Sequence, residues 1–284
     1  MKLVGVYCLI VVALVGCGER SRAPNVPLLD RPAAIDKREG EAVDAARTLY
    51  RSGLYDKART AAAELSANGC RHPDLLYLQA LLATQAGNFT EAVTWCEQAI
   101  AASPLWPEPR ILLAQSWLKL ERFAAAESVF ADIERLAPHG PWGPYGVAAI
   151  AAQRGDLIRA AAQVDVALER DPDHQPSLGL AAHLAKQAGN AKREEELIAR
   201  IVRLTPDEAG AWARLGELAQ AANRLEDARR AYERAYGYEA RTSWAKALAD
   251  LAQRRGDLSE AARWRRAAGQ TTQTDHDLTP ELPR

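Results

Sequence analysis

The sequence predicts an all-α solenoid of about seven helical hairpins, and three observations carry that prediction. A turn position recurs every 34 residues, at Gly53, Gly87, Glu121, Gly155, Gly189 and Asn223, then one residue early at Gly256. Small residues recur in phase with it. They stand at Ala46, Ala80, Ala114, Ala148, Ala182, Gly216 and Ala249 on the first helices, and at Ala58, Ala92, Ala126, Ala160, Ala228 and Ala261 on the second. Proline closes units at the same interval, as Pro104, Pro138, Pro172 and Pro206. A fixed period of this length marks a repeat array, because one hairpin cannot bury its own apolar face and must stack on its neighbours.

Each element follows from the same pattern. In residues 141–174 two amphipathic helices flank the turn Arg154-Gly155-Asp156, and Asp171-Pro172 ends the second, since proline lacks the N–H that a helix needs. Moved along the chain, this template gives units 39–72, 73–106, 107–140, 141–174, 175–208, 209–241 and 242–275, an array expected over 39–269. The small columns are where helices approach closely. Leu113, Val147, Leu215 and Leu248 on first helices, and Leu65, Ile133 and Ile201 on second ones, fill the space beside them.

These columns resemble the tetratricopeptide repeat. Its pattern of Trp, Leu-Gly, Ala and a later aromatic is met best by Trp212-Ala-Arg-Leu215-Gly216, Ala228 and Tyr232, with Ala219 where the family has an aromatic. The resemblance spans about residues 39–275 and implies a right-handed superhelix. Three positions depart from it: Cys70 and Ala240 stand where a unit should close, and Glu194 where a small residue is expected. Looser local packing is expected there.

The two ends read differently. Lys2 precedes an apolar run from Leu3 to Val15, 13 residues long, which is too short to cross a bilayer core of about 30 Å. The run ends Leu14-Val15-Gly16-Cys17, which resembles a bacterial lipobox. Residues 1–16 are then a lipoprotein signal peptide, Cys17 is the lipidated mature N-terminus, and residues 17–38, with Pro24, Pro27 and Pro32, are a flexible tether. The alternatives are an ordinary signal peptide with an incidental cysteine, or an uncleaved anchor. Gly18 is not the aspartate that resembles an inner-membrane retention signal, so the expected location is the cell envelope, at the outer membrane facing the periplasm. Residues 270–284 are polar, lack periodicity and are expected to be a disordered tail.

Several chemistries find no support. The net charge of −1 gives no global field for nucleic acid, and no aromatic-and-basic stripe is present. His72, His139, His174, His183 and His276 are scattered, no phosphate loop or nucleophile elbow occurs, and Glu194-Glu195-Glu196 reads as a solvated helix face. No enzyme activity, metal, cofactor or small-molecule substrate is expected. Cys70 and Cys96 could pair in an exported chain. Their places, one in an inter-unit turn and one facing its hairpin partner, favour two separate thiols.

Binding remains, and the family register locates it. In such arrays the first helices line the concave side, which here presents Tyr77, Leu81, Ile111, Gln115, Lys119, Trp142 and Tyr145 in units two to four. Units five to seven present His183, Arg214 and further charged residues. Tyr77, Leu81, Ile111, Gln115, Lys119, Trp142, Tyr145, His183 and Arg214 are the expected contacts with a protein or peptide partner. Curvature could equally bury Leu81 and Ile111 against neighbouring units. Family members that clamp an acidic C-terminus carry Lys and Asn at places where this chain has Val43 and Arg47, Tyr77 and Leu81, and Ile111 and Gln115; no carboxylate clamp is present. Charge is uneven: residues 73–140 hold four Lys and Arg against eight Asp and Glu, residues 209–268 twelve against eight. The expectation is an adaptor or scaffold of the envelope. The alternatives are a self-associating array using Trp95 and Trp264, or an accessory of cell-wall enzymes.

Overall fold

The computed structural model describes residues 37–276, and all regular structure among them is helical. Fourteen helices follow in order: α1 (Lys37–Arg51), α2 (Tyr55–Ala67), α3 (Pro73–Gln85), α4 (Phe89–Ala102), α5 (Pro107–Lys119), α6 (Phe123–Leu136) and α7 (Trp142–Gln153). They continue as α8 (Leu157–Arg170), α9 (Gln175–Gln187), α10 (Ala191–Leu204), α11 (Ala209–Ala221), α12 (Leu225–Tyr238), α13 (Thr242–Arg254) and α14 (Leu258–His276). They form seven hairpins. The segment expected as a signal peptide, Cys17 and nearly all of the expected tether lie outside the described residues.

Local chemistry sets the helix ends. Pro73 and Pro107 open α3 and α5, where a missing N–H costs nothing. Asp156 and Asn190 cap α8 and α10 by accepting from the N–H groups of Arg159 and Arg193. Within each hairpin the chain reverses at a residue of positive φ. Glycine takes this place five times, at φ 75° (Gly53), 79° (Gly87), 81° (Gly155), 69° (Gly189) and 82° (Gly256), while Glu121 (56°) and Asn223 (57°) adopt it without being glycine. The one-residue shortening falls in a connector: Glu239 to Arg241 join α12 to α13, whereas Thr205 to Glu208 join α10 to α11.

The chain divides into two compact units between Ser177 and Leu178, inside α9. In the N-terminal unit each hairpin packs on the next through α2 and α3, α4 and α5, and α6 and α7, while the first helices α1, α3, α5 and α7 also touch in succession. In the C-terminal unit α11 pairs with α12 and α13 with α14, and α10 packs on α11 and α12 on α13.

The small columns lie at the helix crossings. Ala58, Ala92, Ala126, Ala160, Ala228 and Ala261 are fully enclosed, as are Ala80, Ala114 and Ala148. Leu113, Ile133 and Leu248 are buried beside them, while Leu65, Val147, Ile201 and Leu215 are half-buried.

Two of the three expected loose points are closed. Cys70 is buried in a core with Val43, Leu75 and Leu78, its N–H donating to the Leu65 carbonyl at 3.1 Å. Glu194 is 4% exposed, because its carboxylate is held by Arg214 of the following hairpin. The reading of Glu194-Glu195-Glu196 as a solvated face is corrected with it: Glu195 pairs with Arg224, and only Glu196 is exposed. At the C-terminal end α14 runs past Gly269 to His276, where a structureless tail was expected from residue 270. A helical glycine costs only about 1 kcal/mol, and no proline interrupts the chain before Pro280.

Candidate partner-binding face

In the N-terminal unit five rings on or just before first helices fall into two matching stations. Tyr77 of α3 meets Trp106, the residue before α5, edge to face at 4.9 Å between ring centroids. Two repeats later Tyr145 of α7 meets His174, the residue before α9, in the same manner at 5.5 Å. Trp142 completes the second station, 4.4 Å from His174 and 5.5 Å from Tyr145. Between the stations the equivalent places hold Ile111 and Gly140, so no ring pair forms there.

The second station is tightly built. His174 is buried, its Nδ1 lies 2.7 Å from Ser177 Oγ, and its Nε2 is buried with no hydrogen-bond partner. Loss of water pushes the imidazole pKa down to about 4, so the ring is neutral near pH 7. Burial pushes the Tyr145 hydroxyl up to about 12. Two glycines bring α7 close to α6: a Cβ on Gly146 would lie 2.1 Å from Phe130 Cγ, and one on Gly143 1.9 Å from Glu134 Oε2. Arg170 holds that Glu134 carboxylate at 2.9 and 3.0 Å and donates to the Gly140 carbonyl at 2.9 Å.

The first station carries carboxylates. Asp74 and Glu108 occupy the second place of α3 and α5, and 34 residues after Glu108 stands Trp142, the first residue of α7. Asp74 Oδ2 lies 3.6 Å from Arg47 and 3.7 Å from His72 Nδ1. Glu108 has a raised pKa, chiefly because burial disfavours its charge; its own backbone and Trp106 oppose the shift, and Asp74 adds to it. One of its oxygens, Oε2, is buried without a hydrogen-bond partner.

The other expected contacts fall as follows. Leu81 is half-buried, packed against the core of Val93, Cys96 and Leu112. Ile111, Gln115 and Lys119 are half-buried. In the C-terminal unit His183 is half-buried, its pKa lowered by burial first and by Lys186, against Glu194. Arg214 directs its guanidinium at Glu194 and Glu217, which hold it charged. Trp106, His174, Asp74 and Glu108 are absent from the sequence-derived set. The signal was the 29-residue interval shared by Tyr77–Trp106 and Tyr145–His174.

Cys70 and Cys96 are free thiols in separate cores, and burial, then Glu97, pushes Cys96 up to about 12. Among the described residues no His, Cys, Asp and Glu group could hold a metal ion, and no helix is long and apolar enough to cross a membrane.

Stacked hairpins with small residues at nearly every crossing and aromatic rings along their first helices define a helical-repeat protein. Residues 43–105 match the family model of the tetratricopeptide repeat. Solved structures share the fold. One is a tetratricopeptide repeat protein from Parabacteroides merdae, with TM-score 0.59, 17% identity, 78% of this chain and 86% of that one covered. Another is a chain of the APC/C hetero-tetramer Cut9–Hcn1, with TM-score 0.58 and 13% identity; the match covers 84% of this chain and 46% of that one, less than half its length. A third is PilW, described as a widely conserved type IV pilus biogenesis factor, with TM-score 0.52, 15% identity, and 74% and 96% covered. Comparison with curated protein sequences gave no match. The matched segment places a tetratricopeptide repeat at residues 43–105, and the solved structures show that the same fold extends over most of the chain.

Proposed function

We propose that the protein is a non-catalytic adaptor of the bacterial cell envelope, moored through acyl chains on Cys17, that holds a protein or peptide on the first-helix face of its N-terminal unit. The observation that carries the binding part is the pair of aromatic stations, Tyr77–Trp106 and Trp142–Tyr145–His174, on helices that touch in succession. Half-buried rings on such a face offer large contact area at low entropic cost, as the anchors of protein interfaces do. The mooring rests on the apolar run and Cys17. The fold shared with PilW is compatible with work in envelope assembly, without choosing the process.

Photo-crosslinking from position 142 in the native host tests the binding part. Envelope proteins captured by the otherwise wild-type chain, and lost when Tyr77 and Tyr145 are alanine, support it; the same captures from both chains overturn it. Mass spectrometry of the mature N-terminus tests the mooring: a start elsewhere than an acylated Cys17 removes it.

A further inference from the structure

The first station has a chemistry that the second lacks. Both Asp74 and Glu108 stand in the first turn of a helix, where an anion is favoured anyway, and that alone would explain an acidic residue there. Asp74 fits this account, with its backbone N–H on His72 and Arg47 beside its carboxylate. Glu108 does not. It lies close enough to Asp74 for the two charges to oppose each other, and its Oε2 is enclosed without a donor. Arg110, two residues on, donates to the Trp106 carbonyl. A carboxylate oxygen can only accept, and a buried acceptor left unmade costs about 1–3 kcal/mol. An incoming positive charge beside the half-buried Asp74 and Glu108 would offset the repulsion between them.

The surroundings favour such a charge. Trp106 is bonded to Glu108 and packed on Tyr77, so the carboxylates sit next to electron-rich rings, the pairing that holds ammonium and guanidinium groups elsewhere. The two hairpins that build the station, residues 73–140, hold four Lys and Arg against eight Asp and Glu. We infer that the face formed by Asp74, Tyr77, Trp106 and Glu108 receives an extended, arginine- or lysine-bearing segment of a partner protein. This names the chemistry of the partner and rests on the reading of the first-helix face as a docking surface.

The test uses the full chain and three labelled twelve-residue peptides, an Arg-Pro repeat, a Glu-Pro repeat and a Gly-Ser repeat, followed by fluorescence anisotropy. The Arg-Pro peptide is expected to bind about tenfold or more tighter than the other two. Asp74→Asn with Glu108→Gln should lose about tenfold for that peptide, and so should Trp106→Ala. Glu121→Gln with Glu127→Gln, an equal loss of charge on the second of these hairpins, should keep wild-type affinity. Circular dichroism checks that each variant is folded. Unchanged binding by the Asp74/Glu108 variant, equal loss in the charge-matched control, or no Arg-Pro binding at all overturns the inference. Equal binding of the Gly-Ser peptide that still depends on Trp106 overturns the cationic assignment and leaves the docking face standing. Failure of position 142 to crosslink envelope proteins strikes the docking reading instead.

Discussion

Arg214 of α11 grips Glu194 of α10 at two points, Nε to Oε1 at 2.6 Å and Nη2 to Oε2 at 3.0 Å, at a position where six other hairpins have alanine. A carboxylate 4% exposed is tolerable only because its counter-charge comes from the next hairpin. Arg214→Ala strands that carboxylate and is expected to cost about 3–5 kcal/mol in urea denaturation. Glu194→Ala with Arg214→Leu restores the small residue and should lie within about 1.5 kcal/mol of wild type. Equal losses in the two variants would show that the pair is not coupled.

Gly146→Ala should destabilise by about 2–4 kcal/mol, since the new methyl group would fall inside the Phe130 ring. Gly237→Ala in α12 meets nothing within 4 Å and should stabilise by about 0.5–1 kcal/mol. Thermal melts of the two variants, moving in opposite directions, separate close packing from backbone entropy.

The turn column gives a third expectation. Glu121 holds φ 56° although it is not glycine, so Glu121→Gly should raise stability by about 0.5–1 kcal/mol. Gly155→Ala at φ 81° should lower it by about 1–2 kcal/mol. Chemical denaturation midpoints at constant m decide both.

Acid should weaken the second aromatic station. His174 stays neutral when folded down to about pH 4, while in the unfolded chain it gains a proton near 6.5. Between those values the unfolded state binds more protons, so stability falls as pH drops through that window, by on the order of 2–3 kcal/mol. His174→Phe keeps a ring against Trp142 and should remove this part of the pH dependence. Denaturation at pH 7, 5.5 and 4.5 compares the slopes.

The period and the small columns were legible because one physical need, close approach of helices, recurs in every hairpin and is met by a small residue at nearly every crossing. Glu194 broke the column and so suggested slack; its partner lies twenty residues away on another hairpin, and nothing local announces it. Gly143 and Gly146 are the contact by which α7 admits Phe130 and Glu134, whose partners in space the sequence does not name. Trp106 and His174 precede their helices. Only packing brings them onto Tyr77 and Tyr145.

The sixth hairpin is one residue short, and the missing residue was taken from the Glu239–Arg241 connector. Removing a residue inside a helix would turn everything after it by about 100° and rotate its alanines off their crossings. Growth and loss in such a chain are therefore confined to its joints or to whole modules, and length differences among its descendants should come in steps of a complete hairpin or a few residues at a seam.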